Sequence, residues 1–473
     1  MILPDWFQRP VAIHTAKLLG NLIRVTGQGS GTSLPGKVGL KLDPNLLKKL
    51  AAQLNKTRLA ISGTNGKSTT AGVLASLCKA DGFNTVHNAL GANMKPGLTA
   101  SLIEATSLAG QLNADVGIFE VDEASLPQCA LEIRQDWTLV TNLFRDQLDR
   151  YGELDTTAKL IEQGIANSGG GMILNADDPM VSAMAVHLKQ PAKTTGGSGF
   201  HRPVIYYGVS SVDYPDLPPL DSPVAFPREV TDCPLCQAPL HYDLFTYGHL
   251  GHYHCTACDF ARPDPHVQGH IVMAADHSIL KIHCNLNHTP YEATFPINMP
   301  GLYNSINVLA ALCAALTIGI QPAALNVGLD RYRGLFGRAE HQLVDGKPVT
   351  MMLIKNPIGA WEVLKVAAGL PKARLLIVIN DDYADGRDIS WLWDAPFEYL
   401  VNHPTPITVS GKRAEDMALR LAYAGVPESQ LHVEHDIMGA FHGCLNQLDG
   451  DEQLVVLPTY TALLAMSLAL KTR

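Results

Sequence analysis

The residues best suited to chemistry form one short run, GTNGKST, at positions 63–69. In such a glycine-containing loop the backbone N–H groups point inward and can surround phosphate groups. Lys67 can reach the terminal phosphate oxygens, and Ser68 or Thr69 can hold a magnesium ion. The run therefore predicts a binding site for a nucleoside triphosphate. The expected contact residues are Gly63, Thr64, Asn65, Gly66, Lys67, Ser68 and Thr69.

The sequence on either side of this run supports a phosphate loop. An apolar segment at 59–61 precedes it and apolar residues with helical spacing follow it, which gives the strand–loop–helix order that such loops need. The loop is a shortened variant, because Ile61 stands five residues before Gly66, where the general pattern has glycine. The flanking elements, more than the common Gly-Lys-Ser, favour the functional interpretation.

A carboxylate follows the next strongly apolar segment. Glu120 comes directly after residues 116–119, at the end of a predicted strand. Because α/β proteins bind ligands at the carboxyl ends of parallel strands, and because carboxylate oxygens suit Mg²⁺, we expect Glu120 to join Ser68 in a magnesium site. A helix cap or a surface charge is the alternative role for this residue.

Four of the nine cysteines stand in two Cys-x-x-Cys pairs with 18 residues between them. Each pair places two thiolates on one ion, and two pairs close a tetrahedral zinc site with no open position, so the predicted role is structural. An odd number of cysteines with two tight pairs fits metal ligation in a reducing compartment better than a set of disulfides. The other five cysteines are expected in the core. The predicted zinc ligands are Cys233, Cys236, Cys255 and Cys258.

A second acidic loop lies near the C-terminus. The apolar segment at 375–379 runs into NDDYADGRD at 380–388. Loops that follow strands in this way are where α/β domains usually hold their chemistry. For Asp388 the alternative role is to cap a helix that starts at Ser390.

The elements that must position these residues have α/β character. Short apolar segments at 59–61, 116–119, 139–141 and 172–174 alternate with helical spacing, which predicts a parallel sheet covered by helices. A Pro-, Gly-, His- and Cys-rich stretch then interrupts the pattern, and a second, smaller alternation begins near 346. The expected domains are an N-terminal segment 1–50, a central domain 51–340 with an insert at about 225–262, and a C-terminal domain 345–473.

Composition limits the function classes. The 473 residues are 46% hydrophobic and 17% charged, with a formal net charge of −9 and no long basic run, so nucleic acid is not an expected partner. Residues 1–23 lack both the uninterrupted apolar stretch of a signal peptide and a membrane span, and we expect a cytoplasmic protein. Leu18, Leu22 and Ile23 have helical spacing, which indicates a packed amphipathic helix; a membrane-surface helix is the alternative.

The phosphate loop resembles the ATP loop of the Mur ligase family, whose members join amino acids to the peptidoglycan precursor. Four more segments are similar to motifs of that family, although Gln147 stands where the ligases usually carry histidine. These segments are TNLFRDQLD at 141–149, LNADDP at 174–179, GLYN at 301–304 with Asn307, and GRAE at 337–340. The resemblance implies ATP and Mg²⁺ as cofactors, and it adds Asn142, Asn304 and Arg338 to the nucleotide contacts.

Three further features narrow the resemblance. They are the cysteine-rich insert, the segment EVDEA at 120–124, and the C-terminal segments at 355–359 and 380–394. They are similar to those of the Mur-ligase-like subunits of lipid II isoglutaminyl synthases. That likeness implies amidation of the D-glutamate α-carboxylate of lipid II to D-isoglutamine through an acyl phosphate, with ammonia from a GatD-like glutamine amidotransferase subunit. It also implies that an aspartate of this chain completes the partner's Cys-His triad. The candidates are Asp388, then Asp385, with Asp394 a weaker third.

Two other functions remain open on the sequence alone. One is an amino-acid ligase of the Mur or folylpolyglutamate class, although its amino-acid site is not recognisable in the C-terminal region. The other is a non-catalytic nucleotide-gated scaffold in which the zinc ribbon binds a partner. The ligases also carry a carbamylated lysine, and Lys159 lies in about the right neighbourhood with shorter spacing. Membrane contact is expected only through the lipid-linked substrate, at the inner face of the membrane.

Overall fold

The computed structural model describes residues 5–26, 33–89, 92–145, 154–189, 202–214, 229–274, 277–286, 289–332, 338–370 and 372–471. The helices in these ranges of eight residues or more are α1 (Asp5–Thr26), α2 (Leu34–Leu42), α4 (Lys67–Ala80), α5 (Lys95–Ala105), α6 (Leu126–Ile133), α7 (Leu154–Ser168), α8 (Pro179–Lys189), α9 (Leu302–Thr317), α10 (Pro322–Arg331), α11 (Pro357–Ala368), α13 (Ala414–Ala424), α14 (Ile437–Asn446) and α15 (Tyr460–Lys471). The shorter ones are α3 (Leu46–Ala51) and α12 (Trp391–Asp394).

The strands fall into three sheets. Those of the large sheet are β1 (Thr57–Ser62), β2 (Thr85–His87), β3 (Val116–Glu120), β4 (Trp137–Val140), β5 (Gly171–Asn175), β6 (Val204–Asp213), β9 (Val267–Met273), β10 (Ser278–Leu286) and β11 (Thr289–Ile297). The small hairpin contains β7 (Leu240–Tyr247) and β8 (Leu250–Cys255). The C-terminal sheet contains β12 (Arg338–Val344), β13 (Lys347–Met352), β14 (Ala373–Val378), β15 (Ile407–Ser410), β16 (Leu431–Val433) and β17 (Gln453–Pro458).

The large sheet has the strand order β11-β10-β9-β6-β5-β4-β1-β3-β2. Its strands from β2 across to β9 pair in parallel, while β9, β10 and β11 pair antiparallel. All residues of β3 and β5 are buried, as two-sided coverage by helices requires. The four apolar segments of the sequence lie in β1, β3, β4 and β5, so the predicted parallel sheet is confirmed.

Two hydrophobic clusters cover the two faces of this sheet. On one face, Leu74 of α4 and Leu309 of α9 are fully buried. On the other, Leu47 of α3, Leu102 of α5 and Ile161 of α7 are fully buried. Helices on both faces leave the carboxyl edge of the parallel strands open, which is the edge where the phosphate loop begins.

The C-terminal sheet has the order β12-β13-β17-β14-β15-β16, in which all pairs except β12–β13 are parallel. One cluster contains Leu364 of α11 and Leu421 of α13, and the cluster on the other face contains Phe441 of α14 and Met466 of α15. This is the smaller α/β unit that the sequence predicts. None of the helices in the described part of the chain combines the length and the apolar character that a bilayer-spanning segment requires.

Candidate active site

The phosphate loop joins the end of β1 to the start of α4. Gly63 and Gly66 have positive φ angles of 121° and 83°, which only glycine adopts without strain. A Cβ atom at Gly66 would also overlap the side chain of Asn307, which lies on α9. The positive φ angle therefore requires glycine at both positions. At Gly66 the close approach of α9 requires it as well.

A cavity of about 430 Å³ opens at this loop, between the two α/β units. The loop, the end of β3, the β7–β8 hairpin, α9 and the C-terminal unit all contribute to its wall. The residues predicted from the sequence that line it are Thr64, Asn65, Gly66, Lys67, Ser68, Thr69, Glu120 and Asn142. Gly63 is part of the same loop but is not among the lining residues.

Lys67 is held by a carboxylate that the sequence reasoning did not select. Its Nζ donates to Glu123 Oε1 at 2.7 Å and to the carbonyl of Gly63 at 2.5 Å. Burial alone would lower the pKa of Lys67, but the negative charges of Glu123, Glu120 and Asp122 outweigh it and hold the pKa above its ordinary value. Lys67 is thus a buried cation at the cavity wall. Glu123 belongs to the EVDEA segment that the sequence already marked.

Two oxygen atoms near Lys67 fit a magnesium ion. Ser68 Oγ and Glu120 Oε2 are buried, and neither has a hydrogen-bond partner among the described residues. A buried polar oxygen without a partner is costly unless a ligand or ion satisfies it. Both residues line the cavity, and hydroxyl and carboxylate oxygens are the donors that Mg²⁺ prefers. The donor set therefore fits the predicted ion.

Two asparagines link the phosphate loop to its surroundings. Asn142, which follows β4, accepts from the backbone N–H of Asn65 at 2.9 Å and donates to the Asn65 carbonyl at 3.2 Å. Asn356 of the C-terminal unit donates to Asn65 Oδ1 at 3.0 Å, and its own Oδ1 accepts from the Gly359 N–H to cap α11. The loop is thus directly hydrogen-bonded to both units.

Two other predicted residues, Asn304 and Lys159, do not line this cavity, and Arg338 lies partly outside the described residues. Asn304 is buried and donates to the Pro300 carbonyl at 2.8 Å, while Tyr303, Ile306 and Asn307 of the same helix line the cavity. Lys159 is exposed on α7 and is not among the lining residues. Arg338 begins β12, but its side chain lies outside the described residues, as do residues 146–149 of the predicted Mur-type motif.

The four predicted zinc ligands come together. All four sulfur atoms lie within 4.8 Å of one another, with Cys233 and Cys258 at 3.7 Å and Cys236 and Cys255 at 3.4 Å. Tetrahedral zinc with Zn–S bonds of about 2.3 Å requires sulfur atoms about 3.8 Å apart, so the cluster fits the metal. The Tyr253 hydroxyl of β8 donates to the Ala176 carbonyl at 3.1 Å. This bond attaches the β7–β8 hairpin, which we call the ribbon, to the large sheet.

The other end of the ribbon hairpin reaches the cavity. Tyr247 and Leu250, on either side of its turn, both line the cavity wall. The Tyr247 ring packs edge-on against Phe144 with ring centroids 5.3 Å apart, and its hydroxyl donates to the Ile358 carbonyl at 3.5 Å. This contact is not predictable from sequence pattern, because the hairpin turn and the phosphate loop are far apart along the chain.

All four histidines of this hairpin have polar neighbours. His249 is fully buried, with its Nε2 3.6 Å from Asp178 and its ring against Phe144. His252 Nε2 lies 2.8 Å from the carbonyl oxygen of Val209. The exposed His241 and His254 lie 3.5 Å and 3.4 Å from the carboxylate of Asp243.

The acidic loop 380–388 also borders the cavity, through Tyr383 and Ala384. Asp385 is buried and accepts from the Thr461 N–H at 2.7 Å, at the start of α15. Burial raises the pKa of Asp385, although the bonds from Thr461 oppose that effect. Its carboxylate is therefore occupied in joining the loop to α15.

Asp388 and Asp394 are more accessible than Asp385. Asp388 is partly exposed, and its Oδ1 accepts from the Ser390 N–H at 2.8 Å. Ser390 is the N-cap residue of α12, so this bond precedes the helix and does not cap its first turn. The second carboxylate oxygen of Asp388 has no partner among the described residues. Asp394 is exposed at the end of α12.

Comparisons with known proteins agree with this architecture. Residues 61–207 match the Mur ligase middle domain, and residues 353–463 match the MurT ligase C-terminal family. Among solved structures, a pseudomurein peptide ligase type C from Methanothermus fervidus has a TM-score of 0.63 at 20% identity, covering 90% of this chain and 80% of that one. MurF ligase from Thermotoga maritima in complex with ADP has a TM-score of 0.58 at 11% identity, covering 93% and 85%. These structures share the fold.

Curated relatives match over nearly the whole chain. The lipid II isoglutaminyl synthase (glutamine-hydrolyzing) subunit MurT of Staphylococcus aureus (strain COL) is 33% identical over 457 residues, which is 96% of each chain. The subunit of the same name from Streptococcus pneumoniae (strain ATCC BAA-255 / R6) is 31% identical over 94% of this chain and 93% of its own. The chain therefore belongs to the MurT family of lipid II isoglutaminyl synthase subunits.

Proposed function

We propose that the chain is the ATP-dependent synthetase subunit of an enzyme that amidates the α-carboxylate of D-glutamate in lipid II, giving D-isoglutamine. The observation that carries the proposal is the shared cavity. The phosphate loop with Lys67 forms one wall, and Tyr383 of the acidic C-terminal loop borders it from the other unit. Family membership adds the substrate class, since the relatives are named lipid II isoglutaminyl synthase subunits.

ATP would bind with its phosphates against the loop and the N-terminus of α4. The backbone N–H groups there and the positive end of the helix dipole favour anions. Lys67 supplies a buried positive charge, which is worth more in a cavity than in water. Magnesium, held by Ser68 and Glu120, would supply positive charge to the phosphate oxygens when bound.

The first chemical step activates the carboxylate. An oxygen atom of the substrate carboxylate attacks the γ-phosphorus, the bond to the bridging oxygen of ADP breaks, and an acyl phosphate forms. In this chain Lys67 stabilises the negative charge on the transferring phosphoryl group. Ammonia then attacks the carbonyl carbon, loses a proton and expels inorganic phosphate, which leaves the amide.

The ammonia would come from glutamine hydrolysed by a GatD-like partner subunit. A Cys-His glutaminase needs a carboxylate that orients its histidine and stabilises the charged imidazolium. Asp388 is the best candidate for that role, because it is partly exposed and one of its carboxylate oxygens is unpartnered among the described residues. Asp385 is less suited, because Thr461 and the Asp382 N–H already occupy its carboxylate.

The test is ATP consumption by the purified chain together with its glutaminase partner. We expect ADP release to require both glutamine and lipid II, and mass spectrometry to find the amide on the D-glutamate residue. Consumption that requires a free amino acid, with no need of glutamine, would identify an amino-acid ligase. Nucleotide binding without consumption under every substrate combination would identify a scaffold.

A further inference from the structure

The N-terminal segment differs in charge from the rest of the chain. Residues 1–50 contain seven Lys or Arg and two Asp or Glu, which is a formal charge of +5, although the whole chain carries −9. Residues 51–473 therefore carry −14. Such an asymmetry between parts of one chain points to an anionic partner at the basic part. None of the cavity-lining residues comes from this segment.

Helix α1 packs along one face and leaves leucines exposed on another. Ala12, Ile13 and Ala16 are fully buried, in agreement with the packed helix that the sequence predicts. Leu18 is 71% exposed and Leu22 is 60% exposed. Being four residues apart, these two side chains lie on the same face of the helix. The exposed face, which also carries the polar His14, Thr15 and Asn21, therefore presents two large apolar side chains to the surroundings of the molecule.

Helix α2 adds a second exposed face, with basic residues. Leu34, Lys37 and Lys41 are exposed, and their spacing of three and four residues places them on one side of the helix. On the opposite side, Gly36 and Gly39 are buried against α5. The two helices pack against each other, so these leucines and lysines lie on the exposed faces of two adjacent helices. We call this surface, formed by Leu18, Leu22, Leu34, Lys37 and Lys41, the N-terminal surface.

We propose that the N-terminal surface docks on an anionic lipid bilayer. Exposed leucines beside lysines are the combination that interfacial helices use, because the leucines enter the boundary of the acyl chains while the lysines meet anionic head groups. Nucleic acid would use the lysines but not the leucines. The rest of the chain, at −14, is repelled by an anionic membrane, so this segment is the part that turns toward it.

This docking is direct, whereas the sequence alone led us to expect membrane contact only through the substrate. It does not rest on the proposed function, since it concerns lipid head groups and not lipid II. If both hold, docking at the bilayer brings the cavity close to a lipid-linked substrate.

The experiment is sedimentation of the full-length chain with vesicles that contain no lipid II. One set is pure phosphatidylcholine and the other contains phosphatidylglycerol. We expect binding to the phosphatidylglycerol vesicles alone, weakening as salt is added. The double variants Leu18→Gln/Leu22→Gln and Lys37→Gln/Lys41→Gln should each weaken binding at least about tenfold, from the known contributions of apolar burial and of lysines near an anionic surface.

Matched controls change exposed residues of the same types elsewhere. Leu131→Gln/Leu419→Gln and Lys79→Gln/Lys281→Gln should bind as the unmodified chain does. Circular dichroism checks that each variant keeps its helix content. The proposal is overturned if the unmodified chain does not bind, or if the N-terminal variants bind as tightly as the controls. Loss of self-association in the N-terminal variants, with no vesicle binding by any form, would assign the surface to a second copy instead.

Discussion

At the scale of single residues, Lys67 places a buried positive charge at the cavity wall, which favours an anionic ligand. Three carboxylates, those of Glu123, Glu120 and Asp122, surround the ammonium group and keep it protonated despite burial. An arrangement of this kind holds a cation in place before any phosphate arrives, so little reorganisation is needed on binding. When a phosphate binds, the ammonium group of Lys67 would either leave Glu123 for the phosphate or contact Glu123 and the phosphate together.

Replacing Lys67 by alanine should abolish amidation. The γ-phosphoryl group would lose its flexible cationic anchor, and losing one such charge-stabilising contact costs about 10²–10³-fold in kcat. The measurement is the rate of ADP and amide formation by the complex. Lys79→Ala, on the exposed side of the same helix, is the matched control and should keep normal activity. Normal turnover by Lys67→Ala would contradict the ATP assignment.

Replacing Asp388 by asparagine should impair glutamine hydrolysis by the complex and leave ATP binding by this chain intact. The amide keeps the shape of the side chain but loses the charge that supports the histidine, at a cost of up to about 10⁴-fold in the serine-protease precedent. Glutamate release and ATP affinity are the two measurements.

The companion variant Asp385→Asn separates the possible outcomes. If Asp385→Asn abolishes hydrolysis while Asp388→Asn does not, the triad role stays with this loop and our choice of residue is wrong. If neither change affects hydrolysis, the triad-completing role of the loop is refuted. A fall in ATP affinity in Asp385→Asn alone would instead reflect the bond from Thr461 that holds the loop against α15.

The sequence identified the reactive residue types but not their pairing. It marked both Lys67 and the EVDEA segment, yet whether Glu120 or Glu123 meets the lysine depends on how the backbone leaves β3. Likewise, the motif of Asn304 and Asn307 led us to predict Asn304 as the nucleotide contact, whereas Asn307 and Tyr303 line the cavity. A shift of one residue on a helix turns a side chain by about 100°, and a motif match alone does not fix that orientation.

At the scale of elements, the β7–β8 hairpin extends from the cysteine cluster, the predicted zinc site, to the cavity at the phosphate loop. Its cysteines hold one end of the β7–β8 hairpin, and Tyr247 and Leu250 line the cavity at the other end. A structural zinc site contributes folding free energy when its ligands meet the ion, so zinc at these cysteines would stabilise the hairpin. We therefore expect the cavity wall at Tyr247 and Leu250 to depend on the metal.

Replacing Cys236 by serine should release zinc, lower the thermal stability and weaken ATP binding. The unmodified chain should contain about one zinc ion, from the four-ligand count. Elemental analysis, thermal unfolding and ATP titration are the measurements. Cys284→Ala, a buried cysteine of β10 outside the cluster, should keep its zinc even if packing suffers. Carefully purified unmodified protein without zinc would refute the site, and unchanged ATP affinity after zinc loss would refute its link to the cavity.

The elements themselves were predictable where burial is two-sided. Residues 116–119 and 172–174 are continuous apolar runs, because β3 and β5 are covered by helices on both faces. The cysteine cluster was likewise predictable, because each Cys-x-x-Cys pair is brought together by a local turn of the chain. The contact of Tyr247 with the cavity was not predictable, because it depends on the tertiary packing of the hairpin against the large sheet.

At the scale of the whole molecule, one cavity is walled by both α/β units. Asn356 bonds to Asn65 across the boundary, and the acidic loop borders the same cavity through Tyr383. The proposed ATP site and the loop proposed to complete the glutaminase triad therefore border the same cavity. This arrangement suits an enzyme in which ammonia must arrive while an acyl phosphate is present.

The most direct test of this account follows the oxygen atoms of the substrate. Lipid II is prepared with ¹⁸O in the α-carboxylate of its D-glutamate and is incubated with the complex, ATP and glutamine in unlabelled water. We predict that each amide formed is accompanied by one inorganic phosphate carrying an ¹⁸O atom, because the acyl phosphate transfers a carboxylate oxygen to phosphorus. Amide formation with entirely unlabelled phosphate would contradict the acyl-phosphate mechanism.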